Sequence, residues 1–360
     1  MHRDRFLTSL GAMMAAPAVA GAVAPQGDAT LDVLKLPKAE LHLHIEGTFE
    51  PELIFTLAER NGVKLKYPNV EALRDAYKFT DLQSFLNVYY HGMEALRAEQ
   101  DYYDLTTAYL KRVQGQGVRH AEIFFDPQAH TKRGVPFPVV VDGISRALTD
   151  GQSSFDITSH LIMCFLRDMS AESAMATLES ALPFKDRIIG VGLDSAEVGN
   201  PPSKFQAVFD RARENGFLTV AHAGEEAGPD YVWEALELLN VSRVDHGVRS
   251  LEDPTLVAHL RKERVPLTVC PLSNVRLRVV PTLAAHPLKR MMDLGLMCTC
   301  NSDDPAYFGG YVGDNFRETA AALSLSDEQL VTLAKNSFEA SFIDDELRQR
   351  YLSEVDAAVG

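Results

Sequence analysis

Eight short apolar segments, alternating with stretches that have the pattern of helices, constrain the fold of this 360-residue chain most. Each has the length and continuous hydrophobicity of a strand in a parallel sheet covered by helices. The predicted strands are Ala39–His44, Arg119–Phe125, Ser159–Arg167, Ile188–Leu193, Leu218–Ala221, Arg243–Asp245, Leu267–Val269 and Leu296–Asn301. Eight such units predict an α/β fold, a closed (β/α)8 barrel of the TIM type rather than an open sheet.

The interval between the first and second predicted strands is much longer than an ordinary connection in an α/β protein. Its pattern predicts four helices, at Pro51–Asn61, Asn69–Ala76, Leu82–Leu96 and Tyr102–Gly115. This insertion follows a strand and so lies on the catalytic face of a barrel, where its helices either form a lid or add packing.

Later in the chain, Asp230 and Asp253 are predicted to cap the N-termini of two helices.

The first 28 residues differ in composition from the rest of the chain. Arg3 and Arg5 precede a run rich in Ala, Gly, Val and Met, with small residues suited to cleavage at Ala18–Ala22. This order is typical of a secretory signal peptide, and the arginines resemble a degraded twin-arginine signal. We therefore predict a signal peptide or disordered N-terminus at residues 1–28, one barrel domain at 29–360, and an exported, periplasmic location. A cytoplasmic protein with a disordered tail is the alternative.

Charge and cysteine content exclude some classes of protein. Fifty acidic against 35 basic residues give a net charge of −15, and an acidic surface repels the phosphates of nucleic acids. The cysteines lie in apolar segments without the C-x-x-C spacing of a sulfur-ligated zinc site. We expect them to be buried and unpaired. They are Cys164, Cys270, Cys298 and Cys300.

Polar side chains occur where several predicted strands end. His42 and His44 end the first strand two residues apart, so their imidazoles point to the same side. His222 follows the fifth strand, His246 the sixth and Asp303 the eighth. Because the carboxyl ends of the strands meet on one face of a parallel barrel, these five residues are expected to lie together. Three imidazoles and a carboxylate suit a catalytic divalent metal ion.

A further carboxylate lies close to this predicted site in the sequence. Glu225 comes three residues after His222, and Gly224 between them permits a sharp turn. The Glu225 carboxylate can therefore face the metal without binding it. In a dry pocket the pKa of a carboxyl rises, so Glu225 can transfer a proton near neutral pH.

Four motifs, in this order, resemble the adenosine/adenine deaminase family of the amidohydrolase superfamily, from about Leu36 to Phe342. The motifs are His42-Leu43-His44, His222-Ala223-Gly224-Glu225, Asp245-His246-Gly247 and Ser302-Asp303-Asp304-Pro305. The resemblance implies one divalent metal ion per subunit, for which zinc is expected and iron(II) is compatible. The ligands it implies are His42, His44, His222 and Asp303.

The same resemblance implies roles in the reaction. The metal ion lowers the pKa of a water, and His246 orients that water and stabilises the oxyanion. Glu225 protonates ring N1 and helps return a proton to the leaving amine. Asp304 hydrogen-bonds ring N7. The implied product is a 6-oxopurine.

Two positions depart from the adenosine-specific pattern. Where nucleoside enzymes have Asp-x-x-Gly after the fourth strand, this chain has Asp194 followed three residues later by Glu197. Both are predicted to bind substrate, and the Glu197 carboxylate is expected to accept the N9–H of a free base and to crowd a ribose. Glu46 replaces an aspartate found near the ribose. With Phe124–Gln128 and Pro201–Phe205, these features resemble the adenine deaminase branch.

The resemblance therefore implies hydrolysis of adenine to hypoxanthine and ammonia, in a single metal-dependent deaminase domain. Deamination of N6-substituted adenines, such as isopentenyladenine or 6-methyladenine, is the alternative, followed by adenosine deaminase activity. Aromatic candidates for the pocket beside N6 are Phe79, Phe85, Tyr89 and Tyr90. A non-catalytic purine-binding protein would be a different class. The expected partner is a small purine base, with no nucleic acid and no membrane after processing, and a homo-oligomer stays open.

Overall fold

The computed structural model describes residues 31–359, which belong to one compact unit. The predicted signal peptide, its boundary at residue 28 and the location that depends on it lie outside the described residues and stay predictions. Eight strands pair in parallel in the order of the sequence. They are β1 (Lys38–His44), β2 (Val118–Phe125), β3 (Thr158–Leu166), β4 (Ile188–Asp194), β5 (Leu218–Ala223), β6 (Arg243–His246), β7 (Pro266–Val269) and β8 (Met297–Cys300).

Helices follow the strands around the outside of the sheet. In chain order the α-helices of the described part are α1 (Pro51–Arg60), α2 (Val70–Asp75), α3 (Leu82–Gly92), α4 (Glu99–Gln114), α5 (Pro127–Thr131), α6 (Phe137–Phe155), α7 (Ala171–Ala181), α8 (Gln206–Glu214), α9 (Pro229–Glu237), α10 (Pro254–Glu263), α11 (Pro271–Arg276), α12 (Leu288–Asp293), α13 (Pro305–Phe308), α14 (Val312–Leu323), α15 (Asp327–Glu339) and α16 (Asp345–Val359). Among residues 31–359, no helix is long and apolar enough to cross a membrane.

The first strand and the segment after the last strand bring the two ends of the sheet together. The backbone N–H of Asp303 donates to the carbonyl of His42 at 3.0 Å, and the His44 N–H donates to the carbonyl of Asp303 at 3.1 Å. One residue earlier on β1, the Leu41 N–H donates to the Asn301 side chain at 2.9 Å. The predicted (β/α)8 barrel is confirmed, and its closure juxtaposes three of the predicted metal ligands.

The barrel interior contains an ion pair as well as apolar side chains. Arg243, at the start of β6, pairs with Glu122 of β2 and donates to the Leu41 carbonyl at 3.0 Å. Both charged side chains are fully buried. Buried charges are tolerated when they are paired and hydrogen-bonded, as these are. The four cysteines are buried and free, as predicted.

The insertion after β1 forms the four predicted helices, α1 to α4. The Asp81 side chain caps α3 by accepting the Ser84 N–H at 2.7 Å. Aromatic packing joins α3 to α13, since the Phe85 ring lies 4.7 Å from that of Phe308 and 5.6 Å from that of Tyr307. Helix α3 is thereby held against the segment that follows β8, at the carboxyl end of the barrel.

Candidate active site

The structure brings the predicted metal ligands together at the carboxyl ends of β1, β5 and β8. His42 Nε2 lies 3.4 Å from Asp303 Oδ1, and His44 Nε2 lies 3.5 Å from the same oxygen. His222 Nε2 lies 3.1 Å from His44 Nε2. Ligand atoms of His42, His222, Asp303 and also His246 lie within 4.8 Å of one another. Residues predicted to meet because they follow strand ends therefore do lie together, and each of them is buried.

Local backbone geometry directs these side chains towards one another. His246 and Asp303 each have a φ of 64°, and Ser195 has a φ of 70°. Residues other than glycine rarely adopt this left-handed conformation, which costs about 1–3 kcal/mol and concentrates at functional sites. His246 ends β6, Ser195 directly follows β4, and Asp303 lies three residues after β8, so each turn is part of how the site is built.

The donor set fits a divalent cation. His42 Nδ1 donates to Thr268 Oγ1 at 3.0 Å, because that hydroxyl in turn donates to Asp245 at 2.7 Å. This leaves the His42 Nε2 lone pair directed into the cluster, where it is buried without a hydrogen-bond partner among the described residues. An imidazole held by a carboxylate-linked partner with its second nitrogen free is the usual arrangement of a metal ligand.

Protonation in the cluster also favours a cation. Burial and the neighbouring imidazoles lower the pKa of His222 well below its usual range, and burial lowers that of His44 to about 4. Burial alone would raise the pKa of Asp303, but the imidazoles of His42, His246 and His44 around it outweigh burial and hold that pKa well below its usual range. A neutral imidazole and an ionised carboxylate are the forms that bind divalent metal ions.

Two carboxyl groups beside the cluster have a raised pKa, in contrast to Asp303. Burial and the negative charge of Asp303 raise the pKa of Glu225 and of Asp304 well above the usual range. Glu225 Oε2 lies 3.5 Å from His246 Nε2. Asp304 packs against Gly47, where an added Cβ would lie 2.6 Å from the Asp304 Cα, so only glycine permits this approach. The site thus holds carboxyls with a raised pKa next to a carboxylate with a lowered one.

A pocket enclosing about 380 Å³ of empty space, part of it open to solvent, lies over these groups. Its polar lining includes predicted residues: His44, Asp194, His222, Glu225, His246, Asp303 and Asp304. The insertion supplies an apolar wall from α3, consisting of Leu82, Phe85, Leu86 and Tyr89, with Tyr90 alongside. Of the four aromatic candidates, Phe79 does not line the cavity and packs behind Phe85 at 5.4 Å.

Glu197 is not among the residues that line this cavity, and the prediction that its carboxylate meets the N9–H of a base is corrected. Both of its oxygens accept backbone N–H groups of the loop that follows β5. This direction is favourable because a buried carboxylate needs hydrogen-bond donors, and the loop supplies four of them. The buried Glu46 carboxylate likewise has a partner within the protein, because its Oε1 accepts a hydrogen bond from His130 Nε2 at 2.7 Å.

Two polar residues that line the cavity, Asp126 and Ser195, were not predicted as site residues. Asp126 follows β2 and groups with His44 and Asp194, whose Oδ2 lies 3.4 Å from His44 Nδ1. The signal that identified His222 at the end of β5 applies equally to Asp126. Tyr90 and Ser195 are joined by a 2.9 Å hydrogen bond across the cavity, and nothing in the sequence pairs them.

Comparison with known proteins agrees with this geometry. Residues 37–358 match the family described as adenosine deaminase. The chain belongs to the adenosine deaminase family. The match spans the whole barrel, from β1 into α16. The predicted class, a TIM-barrel aminohydrolase of this family, is confirmed.

Relatives within the adenosine deaminase family extend over nearly the same length. The adenine deaminase of Streptomyces coelicolor is 63% identical over 90% of this chain and 96% of its own, and that of Acinetobacter baylyi is 58% identical over 89% and 96%. The crystal structure of adenine deaminase from Arthrobacter aurescens has a TM-score of 0.89 at 54% identity, covering 90% of this chain and 99% of that one. A zinc-bound amidohydrolase from Burkholderia ambifaria, 26% identical, has a TM-score of 0.84, covering 91% and 92%.

Proposed function

We propose that this enzyme hydrolyses adenine to hypoxanthine and ammonia. The observation that carries the proposal is the buried Glu225 carboxyl, which has a raised pKa and lies beside His246 in the cavity that holds the predicted metal ligands. Such a group donates a proton at neutral pH, as protonation of a purine ring nitrogen requires. The names of the relatives that match nine-tenths of the chain support adenine as the substrate.

His42, His44, His222 and Asp303 would hold one divalent ion, which we propose to be zinc. Three imidazoles and a carboxylate suit zinc, and the zinc in the Burkholderia ambifaria protein supports this choice. When bound, the ion lowers the pKa of a water and so supplies a nucleophile near neutral pH.

The chain's own residues then orient the base and move protons. Glu225 donates to ring N1, which makes C6 electrophilic, while Asp304 hydrogen-bonds N7. His246 lies next to Glu225, where it orients the attacking water and stabilises the charge that develops on the new oxygen. Water supplies the oxygen at C6. One of its protons leaves in ammonia, and the other replaces the proton that Glu225 gave to N1.

N6-substituted adenines are the second candidate substrates. The observation that favours them is the apolar wall formed by Leu82, Phe85 and Leu86 of α3, together with Leu277. An N6-methyl or isopentenyl group would bury apolar surface against such a wall, at about 0.8 kcal/mol for each CH2 group.

A substrate panel tests the proposal. Zinc-loaded enzyme is mixed separately with adenine, adenosine, 6-methyladenine and isopentenyladenine, and the 6-oxopurine is followed by ultraviolet absorbance. Adenine turnover far above that of adenosine is expected. Preference for isopentenyladenine would replace the first candidate by the second, and efficient adenosine turnover would contradict both. Chelation should abolish activity, and restoration by zinc but not by iron(II) would support zinc.

A further inference from the structure

We infer that Glu197 is a positioning residue for catalysis, and that it fixes the direction of the Glu225 side chain through the backbone of the loop that carries it. This inference rests on the proposed role of Glu225 as the proton donor. Glu197 itself does not contact the cavity. It acts instead through hydrogen bonds to the loop backbone, whereas the Glu225 carboxyl has no hydrogen bond among the described residues.

The Glu197 carboxylate binds four consecutive backbone N–H groups. Oε1 accepts from Gly224 at 2.7 Å, and Oε2 accepts from Glu225 at 3.2 Å, Glu226 at 2.6 Å and Ala227 at 2.9 Å. Glu197 is only 1% exposed, so these bonds form away from bulk water. Hydrogen bonds to an ionised acceptor are about twice as strong as those between neutral groups.

The glycine at the start of this loop makes the convergence possible. Gly224 has a φ of 71°, a left-handed conformation that glycine adopts without steric cost. Successive N–H groups that follow such a turn form a concave anion-binding site. Here the anion is a side chain of the protein itself, that of Glu197, three residues after the end of β4.

Two arginines hold the same stretch of backbone through its carbonyls. Arg167 donates to the His222 carbonyl at 2.7 Å, and Arg249 donates to the Glu226 carbonyl. The main chain is thus held before the loop by one arginine and within the loop by the other. The loop N–H groups, by contrast, depend on Glu197 alone among the described hydrogen bonds.

The Glu225 side chain is not held by hydrogen bonds of its own. Its Oε1 is buried without a partner among the described residues, and its Oε2 lies no closer than 3.5 Å to His246 Nε2. The direction of this carboxyl is therefore set by the backbone from which it extends. Since the Glu225 N–H is one of the four that Glu197 accepts, displacing Glu197 moves the proton donor.

Replacing Glu197 by Gln tests the inference, with Glu226→Gln as the matched control. Both changes remove one negative charge close to Glu225, but only the first breaks side-chain hydrogen bonds to the loop. We expect Glu197→Gln to lower kcat for adenine about a hundredfold, the usual effect of misplacing a catalytic group by about 1 Å. KM and metal content should stay close to wild type. Glu226→Gln should keep kcat within about threefold of wild type.

Each other outcome has a defined meaning. Wild-type kcat in Glu197→Gln overturns the inference, as does a raised KM at unchanged kcat, which would indicate direct contact with the base. Equal losses in both variants would assign the effect to charge rather than to positioning and would also overturn it. Wild-type enzyme that does not convert adenine contradicts the proposed function instead, whatever the variants do.

A second variant covers failure of Glu197→Gln to fold. Glu197→Gly leaves space beside the four N–H groups, and added formate is expected to bind there and restore part of kcat. Formamide, which has the same shape without the charge, should not. Absence of formate rescue in folded, metal-loaded Glu197→Gly would contradict the inference, as would a gain of adenosine turnover by this variant.

Discussion

The Glu225 carboxylate and the His246 imidazole approach each other to 3.5 Å, measured from Oε2 to Nε2, at the ends of two neighbouring strands. Parallel pairing of β5 with β6 places Ala223 opposite His246. The chain then turns at Gly224, and Glu225, the next residue, contacts His246. Both side chains are almost completely buried. The proposed proton donor and the residue proposed to stabilise an oxyanion are thus held on one edge of the cavity.

Glu225→Gln should remove the transferable proton while keeping the size and polarity of the side chain. We expect kcat for adenine to fall by at least about 10²-fold, the usual contribution of a general acid. Metal content should stay at the wild-type level because Glu225 is not a predicted ligand. Steady-state kinetics and elemental analysis of the same preparation check both points. Retained turnover would show that another group supplies the proton.

Asn274→Ala should affect catalysis through His246. The Asn274 amide lies 3.4 Å from His246 Nδ1, while its oxygen accepts from His286 at 3.1 Å. Amide donation to Nδ1 leaves the proton on Nε2, which faces Glu225. Loss of this partner should lower kcat about tenfold without loss of metal, since orientation is lost but the imidazole stays. Unchanged kcat would mean that packing alone orients His246.

Gly47→Ala should displace Asp304. The added Cβ would lie 2.6 Å from the Asp304 Cα, a backbone atom that cannot move independently. We expect kcat/KM for adenine to fall at least about tenfold. Gly115→Ala is the matched control, because nothing lies within 4 Å of its added Cβ and its φ of −74° suits alanine. Equal activity in both variants would contradict the proposed role of Asp304.

Glu122→Gln should lower the free energy of unfolding by about 3–5 kcal/mol at pH 7, because it leaves Arg243 buried without its charged partner. Denaturant unfolding of the metal-free proteins measures this. A destabilisation below about 1 kcal/mol would mean that the barrel interior is solvated.

The pH dependence of that difference follows from the pKa of Glu122. Burial opposes ionisation, but Arg243 outweighs it and lowers this pKa to about 2. The unfolded carboxyl has a pKa of about 4.3, so the stabilisation is complete above that pH and is lost as pH falls towards 2. The two proteins should therefore converge in stability across that window. A difference that stayed constant down to pH 3 would contradict this account.

The sequence predicted correctly the residues that come together because they lie at strand ends. It did not predict contacts between a side chain and backbone N–H groups far away in the sequence. Eight apolar runs determine where the strands lie, and barrel closure then brings His42, His222 and Asp303 together by topology alone. Glu197 was misassigned because its partners are N–H groups about thirty residues later, and their convergence depends on one turn at Gly224.

The predictions of helix caps and of aromatic packing were likewise only partly correct. Asp253 caps α10, as predicted, by accepting the Thr255 N–H at 2.8 Å. Asp230 does not cap α9, which begins at Pro229 with Gly228 at the cap position, because proline is favoured in the first turn of a helix and moves the start two residues earlier. Phe79 lies behind the cavity wall rather than in it, and sequence alone does not distinguish two layers of one aromatic cluster.

The closure of the barrel through Asp303 has a consequence for biosynthesis. The backbone of Asp303 joins the end of β8 to β1, and its side chain meets His42 and His44, more than 250 residues earlier in the chain. Contacts between such distant positions require closure of a long loop, which slows folding. On the ribosome, the nascent chain carries His42 and His44 without this predicted ligand until Asp303 has been made. If Asp303 is a metal ligand as predicted, the complete ligand set exists only after the chain has been made as far as β8 and Asp303.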